Sequence, residues 1–147
     1  MIGLNYLGKM GQLGNQMFQY AALKGIANNR GLEYTVPNHK EVLEDGLGNK
    51  LRIELYDAFD ISPKNQGLLP TNEYVQEAHF HFDPDLYNEC PDNCSVVGFF
   101  QTEKYFVNIR DRLSKILKSR KNIEMIVNQY LNSFIIQSHY IFVEVIF

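Results

Sequence analysis

Cysteine is scarce. The chain has two, Cys90 and Cys94, too few for the disulfide framework of a small secreted domain. Positive charge is short as well: fourteen Lys and Arg stand against seventeen Asp and Glu, for a net charge of −3. A protein that grips a phosphate backbone carries a basic excess, so no nucleic-acid partner is expected. No apolar run approaches the roughly 20 residues that cross a bilayer, and the N-terminus lacks the basic-then-apolar pattern of a signal peptide. The expected location is cytoplasmic or peripheral on the cytoplasmic membrane face. Repeats and low-complexity segments are missing too. What is present is 147 residues of ordinary globular composition, 45% hydrophobic and 21% charged. That is enough chain to bury about two-thirds of its unfolded surface without metal or disulfide support.

The opening Met1–Leu7 is short, partly alternating and ends at glycines, which predicts a strand. Gly8, Gly11 and Gly14 then recur at every third position. Asn15 is a good N-cap, and Gln16 to about Asn29 is apolar almost all round, as in a buried helix. Gly31 is placed for a left-handed cap, and Glu33–Val36, closed by Pro37, reads as a second strand. Strand, glycine loop, helix and strand form a βαβ unit, which implies a parallel sheet and an α/β fold.

From Asn38 to about Asn72 turn residues dominate, around a short element at Leu51–Phe59. Val75–Phe82 alternates and predicts a strand, Asp83-Pro84 a helix start, and Ser95–Phe100 a buried strand. Thr102 is placed to cap an amphipathic helix whose apolar face holds Tyr105, Phe106, Ile109, Leu113, Ile116 and Leu117. Its other face carries Lys104, Arg110, Arg112, Lys115, Lys118, Arg120 and Lys121, half of the fourteen basic residues. Ile123–Leu131 suggests a further helix and Tyr140–Phe147 a last strand.

A glycine loop between a strand and a buried helix lets backbone approach a ligand, and a helix N-terminus favours negative charge. The spacing is G-x-x-G-x-x-G, neither the dinucleotide fingerprint nor a P-loop, so a plain tight turn stands beside ligand binding as its reading. The surrounding residues are more specific. Gly11-Gln12-Leu13-Gly14-Asn15-Gln16-Met17-Phe18-Gln19-Tyr20-Ala21 resembles the N-terminal signature of glycosyltransferase family 11, the α-1,2-fucosyltransferases. Gly98-Phe99-Phe100-Gln101-Thr102-Glu103-Lys104-Tyr105-Phe106 resembles that family's G-Y-F-Q-x-x-K-Y-F segment, with Phe99 in place of Tyr. Phe82-Asp83-Pro84-Asp85-Leu86 is similar to its F-D-x-x-L stretch.

The resemblance implies transfer of L-fucose, with inversion, from GDP-fucose as donor substrate to the 2-hydroxyl of a galactoside-containing glycan. It implies no cofactor and no metal. The fold would be a Rossmann-like parallel sheet, the N-terminal half of a GT-B-type glycosyltransferase. Residues 1–127 would form the acceptor-side domain. Gly11, Gly14, Asn15, Gln16 and Gln101 would line the donor and substrate cleft, with the Asn15 amide as the catalytic group near the sugar–phosphate bond. Asn15 as a plain helix cap, and Gln101, Glu103 and Lys104 as a solvated helix start, are the alternative readings.

The family's H-x-R-R-x-D motif, whose arginines hold the diphosphate by bidentate hydrogen bonds, does not occur in these residues. Back-translated and read one nucleotide earlier, Gln137–Phe147 permits Ile-Thr-Leu-His-Ile-Arg-Arg-Gly-Asp-Phe, which contains that motif. The expectation is therefore a truncated chain, inactive alone, with residues 128–147 a tail shifted in frame by a single-base deletion within Asn128–Gln137. GDP-fucose would be bound only by the complete enzyme. The coding DNA tests this directly.

Two other constellations compete. His79-x-His81 on a strand, with Cys90 and Cys94, has the residue types of a zinc site but not the usual C-x2-C spacing. The basic face from Lys104 to Lys121 is either solvated or a contact for anionic lipid. On that reading the chain is a non-catalytic carbohydrate- or membrane-surface-binding domain.

Overall fold

The computed structural model describes residues 1–116 apart from 42, 45, 46 and 49. The expected helix at Ile123–Leu131, the strand at Tyr140–Phe147, the residue-127 domain boundary and the tail all lie outside the described residues. The fold is α/β. Four parallel strands, β1 (Ile2–Gly3), β2 (Tyr34–Thr35), β5 (Tyr74–Gln76) and β6 (Ser95–Val97), make a sheet in the order β2-β1-β6-β5. Register runs Ile2 to Tyr34, Gly3 to both Thr35 and Ser95, and Tyr74, Val75 and Gln76 to Ser95, Val96 and Val97. A separate antiparallel hairpin pairs β3 (Leu43–Glu44) with β4 (Lys50–Leu51).

Helix α1 (Leu13–Arg30) links β1 to β2 and buries Phe18, Tyr20, Ala21, Ala22, Leu23 and Ile26 among its apolar positions. It stops at Gly31, whose φ of 65° is the left-handed cap the sequence predicts, with its N–H on the last-turn carbonyls. Helix α3 (Pro84–Glu89) links β5 to β6 and packs on α1. Asp83 caps it, accepting from Leu86 N–H at 3.0 Å, with Pro84 at the first helical position. The short helix α2 (Leu55–Ala58) occupies part of the element expected at 51–59, and β4 takes the start of it.

Several expected elements are shorter than their patterns. The strand expected over 75–82 ends at Gln76, so His79 and His81 do not share a strand face. The strand expected over 95–100 ends at Val97, because Phe100 turns the chain at a φ of 52°. The long amphipathic helix is broken into 3-10 turns at Glu103–Tyr105 and Val107–Ile109 before α4 (Arg110–Ile116). Its apolar face survives the breakage: Tyr105, Phe106, Ile109 and Leu113 are buried. The cause lies on α1. A methyl group on Gly25 would stand 2.8 Å from Phe106 Cα, and closer still to the Tyr105 carbonyl oxygen. That glycine admits the backbone of the turn, and Asn108 Nδ2 donates to its carbonyl at 3.1 Å.

Candidate functional site

The loops that follow β1 and β6 leave the carboxyl ends of adjacent parallel strands, the edge where α/β sheets present ligand sites, and they meet over the start of α1. Gly8 and Gly11 take φ values of 85° and 80°, which glycine adopts without penalty. The space a Gly11 side chain would need is filled by Asn15, whose Cβ would lie 2.7 Å away. Gly14 sits in the first turn of α1, where a helix has no internal acceptors for its N–H groups.

Asn15 is not the helix cap. Helix α1 starts two residues earlier, with Gln12 at the cap position and no side-chain cap of its own. The carboxylate of Glu54 instead accepts from Leu13 N–H at 2.7 Å, reaching across 41 positions of sequence. Relieved of capping, the Asn15 side chain accepts a hydrogen bond from Gln101 Nε2 at 2.9 Å. The two segments carrying the family resemblance, 86 positions apart, therefore touch through their amides.

Gln16 faces the other way. It is 1% exposed, and both ends of its amide are spent on backbone. Nε2 donates to Arg52 O at 3.2 Å and Gly11 O at 3.4 Å, while Oε1 accepts from Leu55 N–H at 3.1 Å. Its place in the arrangement is as a clamp on the 52–55 segment, behind the surface that Asn15 and Gln101 present.

Two residues outside the expected set complete the frame. Gln19, buried mid-helix, donates to Met10 O at 3.1 Å and Gly98 O at 3.0 Å, and so ties both loops to α1. The signal in the sequence was a polar side chain inside an otherwise apolar helical run. Glu77 follows β5, and its Oε2 accepts from Phe99 N–H at 3.1 Å and Phe100 N–H at 3.0 Å. Burial pushes the Glu77 carboxyl above the usual carboxylate range. The Phe100 amide, the Tyr105 hydroxyl and the Phe99 amide oppose that rise, and the Asp83 charge adds to it. Burial also drives the Tyr105 phenol well above its ordinary value, so it stays a neutral hydroxyl that accepts from Asp83 N–H at 2.9 Å.

The competing constellations look different in three dimensions. His79 Nδ1 lies 3.1 Å from the His81 carbonyl on an exposed turn. The buried thiols of Cys90 and Cys94 contact each other at 3.5 Å. The contact between the two raises the Cys90 thiol's pKa and lowers that of Cys94. Among the described residues, no group of three or more His, Cys, Asp or Glu side chains is arranged to hold a metal ion. Lys104, Arg110, Arg112 and Lys115 are exposed, with Arg112 on the Asn28 carbonyl oxygen of its side chain at 3.1 Å; Lys118, Arg120 and Lys121 lie outside the described residues. An open hollow of about 530 Å³ between β5 and α3 is lined by Val75, His79, Pro84, Leu86 and Cys90 among others, and by none of the expected site residues. No described helix is long and apolar enough to cross a membrane.

No protein-family model, curated protein or solved structure matches this chain.

Proposed function

We propose that the chain forms the acceptor-side wall of a sugar-transfer cleft of the α-1,2-fucosyltransferase kind, the N-terminal half of a GT-B-type enzyme. The complete reaction moves L-fucose from GDP-fucose to the 2-hydroxyl of a galactoside. The observation that carries this reading is the 2.9 Å hydrogen bond from Gln101 to Asn15. It joins, at one surface, the two stretches whose wording resembles that family. Once that bond is made, each amide keeps its other end for a ligand: Asn15 Nδ2 as a donor and Gln101 Oε1 as an acceptor for a hydroxyl.

Transfer from a nucleotide sugar develops positive charge at the sugar carbon and negative charge on the departing diphosphate. Fixed donors at the phosphate oxygens lower that barrier. The first-turn N–H groups at Gly14 and Asn15 are donors of that kind, next to a loop that Gln16 holds at the Gly11 carbonyl and Gln19 at the Met10 carbonyl. The arginine pair that would take most of the diphosphate charge is absent from these 147 residues. On this reading the chain alone binds galactoside and turns over negligibly.

Side-chain amide NMR tests it. Titration with a β-galactoside is expected to shift the Asn15 and Gln101 NH2 resonances together and saturably, and incubation with GDP-fucose to give negligible fucosylated product. Shifts that leave both amides untouched, or transfer at a rate comparable with complete enzymes, overturn the reading.

A further inference from the structure

Phe80 is the most exposed aromatic side chain of the described residues, 71% open to solvent, yet it does not sit on a loose loop. Its turn is fastened at both ends. Glu77 N–H donates to Val97 O at 2.8 Å, Ala78 N–H donates to Asp83 Oδ2 at 3.3 Å, and Phe82 packs inward against Tyr105 and Tyr87 with ring centroids 5.0 and 5.3 Å away. Phe80 stacks on Phe99, centroids 6.2 Å apart and planes 27° from parallel, an offset that forms a step. Phe99 is held in turn by Glu77 through its N–H. Two residues further along the chain, Gln101 presents its amide beside Asn15.

We propose that the Phe80–Phe99 step is a stacking platform for a pyranoside ring, with the Gln101 and Asn15 amides meeting the ring's hydroxyl rim. This deepens the function proposed above, and rests on it, by giving the acceptor sugar a definite seat. A hexopyranoside has one face of C–H bonds and an equator of hydroxyls. The Phe80–Phe99 pair, with the Gln101 amide two residues along the chain from Phe99, offers both kinds of contact, apolar on polarizable carbon and hydroxyl on amide. A phosphate-bearing ligand would call for cations, and the residues of the two turns are the phenyl rings, the imidazoles of His79 and His81 beside Phe80, and the Glu77 carboxyl on Phe99 N–H. The rings are positioned before any ligand arrives, so little ordering is left to oppose a small, weakly held molecule.

The chain contains no tryptophan, so a Phe80→Trp variant carries a single indole reporter on the platform. Methyl β-D-galactoside, methyl α-D-glucoside and GDP are titrated into this variant. In parallel, saturation-transfer NMR measures the same three with wild type, Phe80→Ala and Phe99→Ala. At 71% exposure Phe80 can be truncated without unfolding the chain, and far-UV circular dichroism of each variant verifies it. The expected result is a saturable indole blue shift with a pyranoside in the millimolar range, and about a tenfold loss of affinity in Phe80→Ala. Pyranoside binding that is indifferent to Phe80, no saturable binding, a response to GDP alone, or a blue shift that follows protein concentration without ligand overturns the platform. If methyl α-D-glucoside binds through Phe80 and the galactoside does not, the platform stands and the galactoside reading falls. If the galactoside shifts the Asn15 and Gln101 amides in Phe80→Ala as it does in wild type, that reading stands and the platform falls.

Discussion

Gly25→Ala sets two effects of opposite sign against each other. In a helix interior alanine is better than glycine by about 1 kcal/mol, so local propensity alone predicts a more stable protein. The structure predicts the reverse. The added methyl would lie 2.8 Å from both Phe106 Cα and the Tyr105 carbonyl carbon, where carbon pairs rest at about 3.5–4.0 Å. The Tyr105 carbonyl oxygen stands nearer than either carbon, so relief requires the 3-10 turn to retreat from α1 by more than about 1 Å. Tyr105 and Phe106 are both 0% exposed, so the retreat opens the core and stretches the Asn108 bond to the Gly25 carbonyl. Overpacking of this kind costs about 1–3 kcal/mol and a disturbed hydrogen bond about 1 more. After the propensity gain, a net loss of about 2 kcal/mol remains. With a urea dependence of about 2 kcal/mol per molar, the midpoint falls by about 1 M, read by far-UV circular dichroism. A Gly25→Ala protein as stable as wild type, or more stable, refutes the packing argument.

Gln16→Ala and Gln101→Ala are expected to separate scaffold from surface: the first leaves the buried Leu55 N–H and Arg52 carbonyl without their partner and costs about 2–3 kcal/mol, while the second changes melting by less than about 0.5 kcal/mol and removes the galactoside response. Asp83→Ala deletes the cap on Leu86 N–H and the bond to Ala78 N–H, with an expected loss of about 1–2 kcal/mol that Asp83→Asn largely restores in thermal melts. Glu77 makes stability depend on pH. Because burial holds its folded pKa above the ordinary 4.5, the folded state keeps the extra proton between the two values. Stability therefore drops as pH rises from 4.5 through the folded value, then levels. Melts from about pH 4.5 to about pH 7 should show that drop in wild type and not in Glu77→Gln; parallel curves for the two proteins would count against it.

The βαβ opening was legible because its signals are local: a glycine loop, an apolar helical run, Gly31 at its end and a short strand before Pro37. Asp83-Pro84 announced α3 in the same way. Other features depended on distant partners. The cap of α1 comes from Glu54, which no pattern near Leu13 reveals, and so Asn15 looked like a cap when its amide was spoken for by Gln101. The run from Thr102 has a sound helical period, and the burial it forecasts at Tyr105, Phe106, Ile109 and Leu113 is what the structure has. Its continuity is lost to backbone contact at Gly25, which periodicity does not encode. The hairpin β3–β4 has strands of two residues each, too short to leave an alternation. Among the site residues, Gln16 carried a motif's chemistry in the sequence and a clamp's geometry in the fold.

Gln19 fastens the Met10 and Gly98 carbonyls to one side chain of α1. The two loops are thus riveted to a common post, and neither can swing toward the other without tearing a buried amide loose. On the function proposed above, a molecule arriving at Asn15 and Gln101 would meet a doorway without a door. Its association rate should track solvent viscosity and encounter geometry, with no lag for a closing step, and any slow phase would have to originate in the visitor.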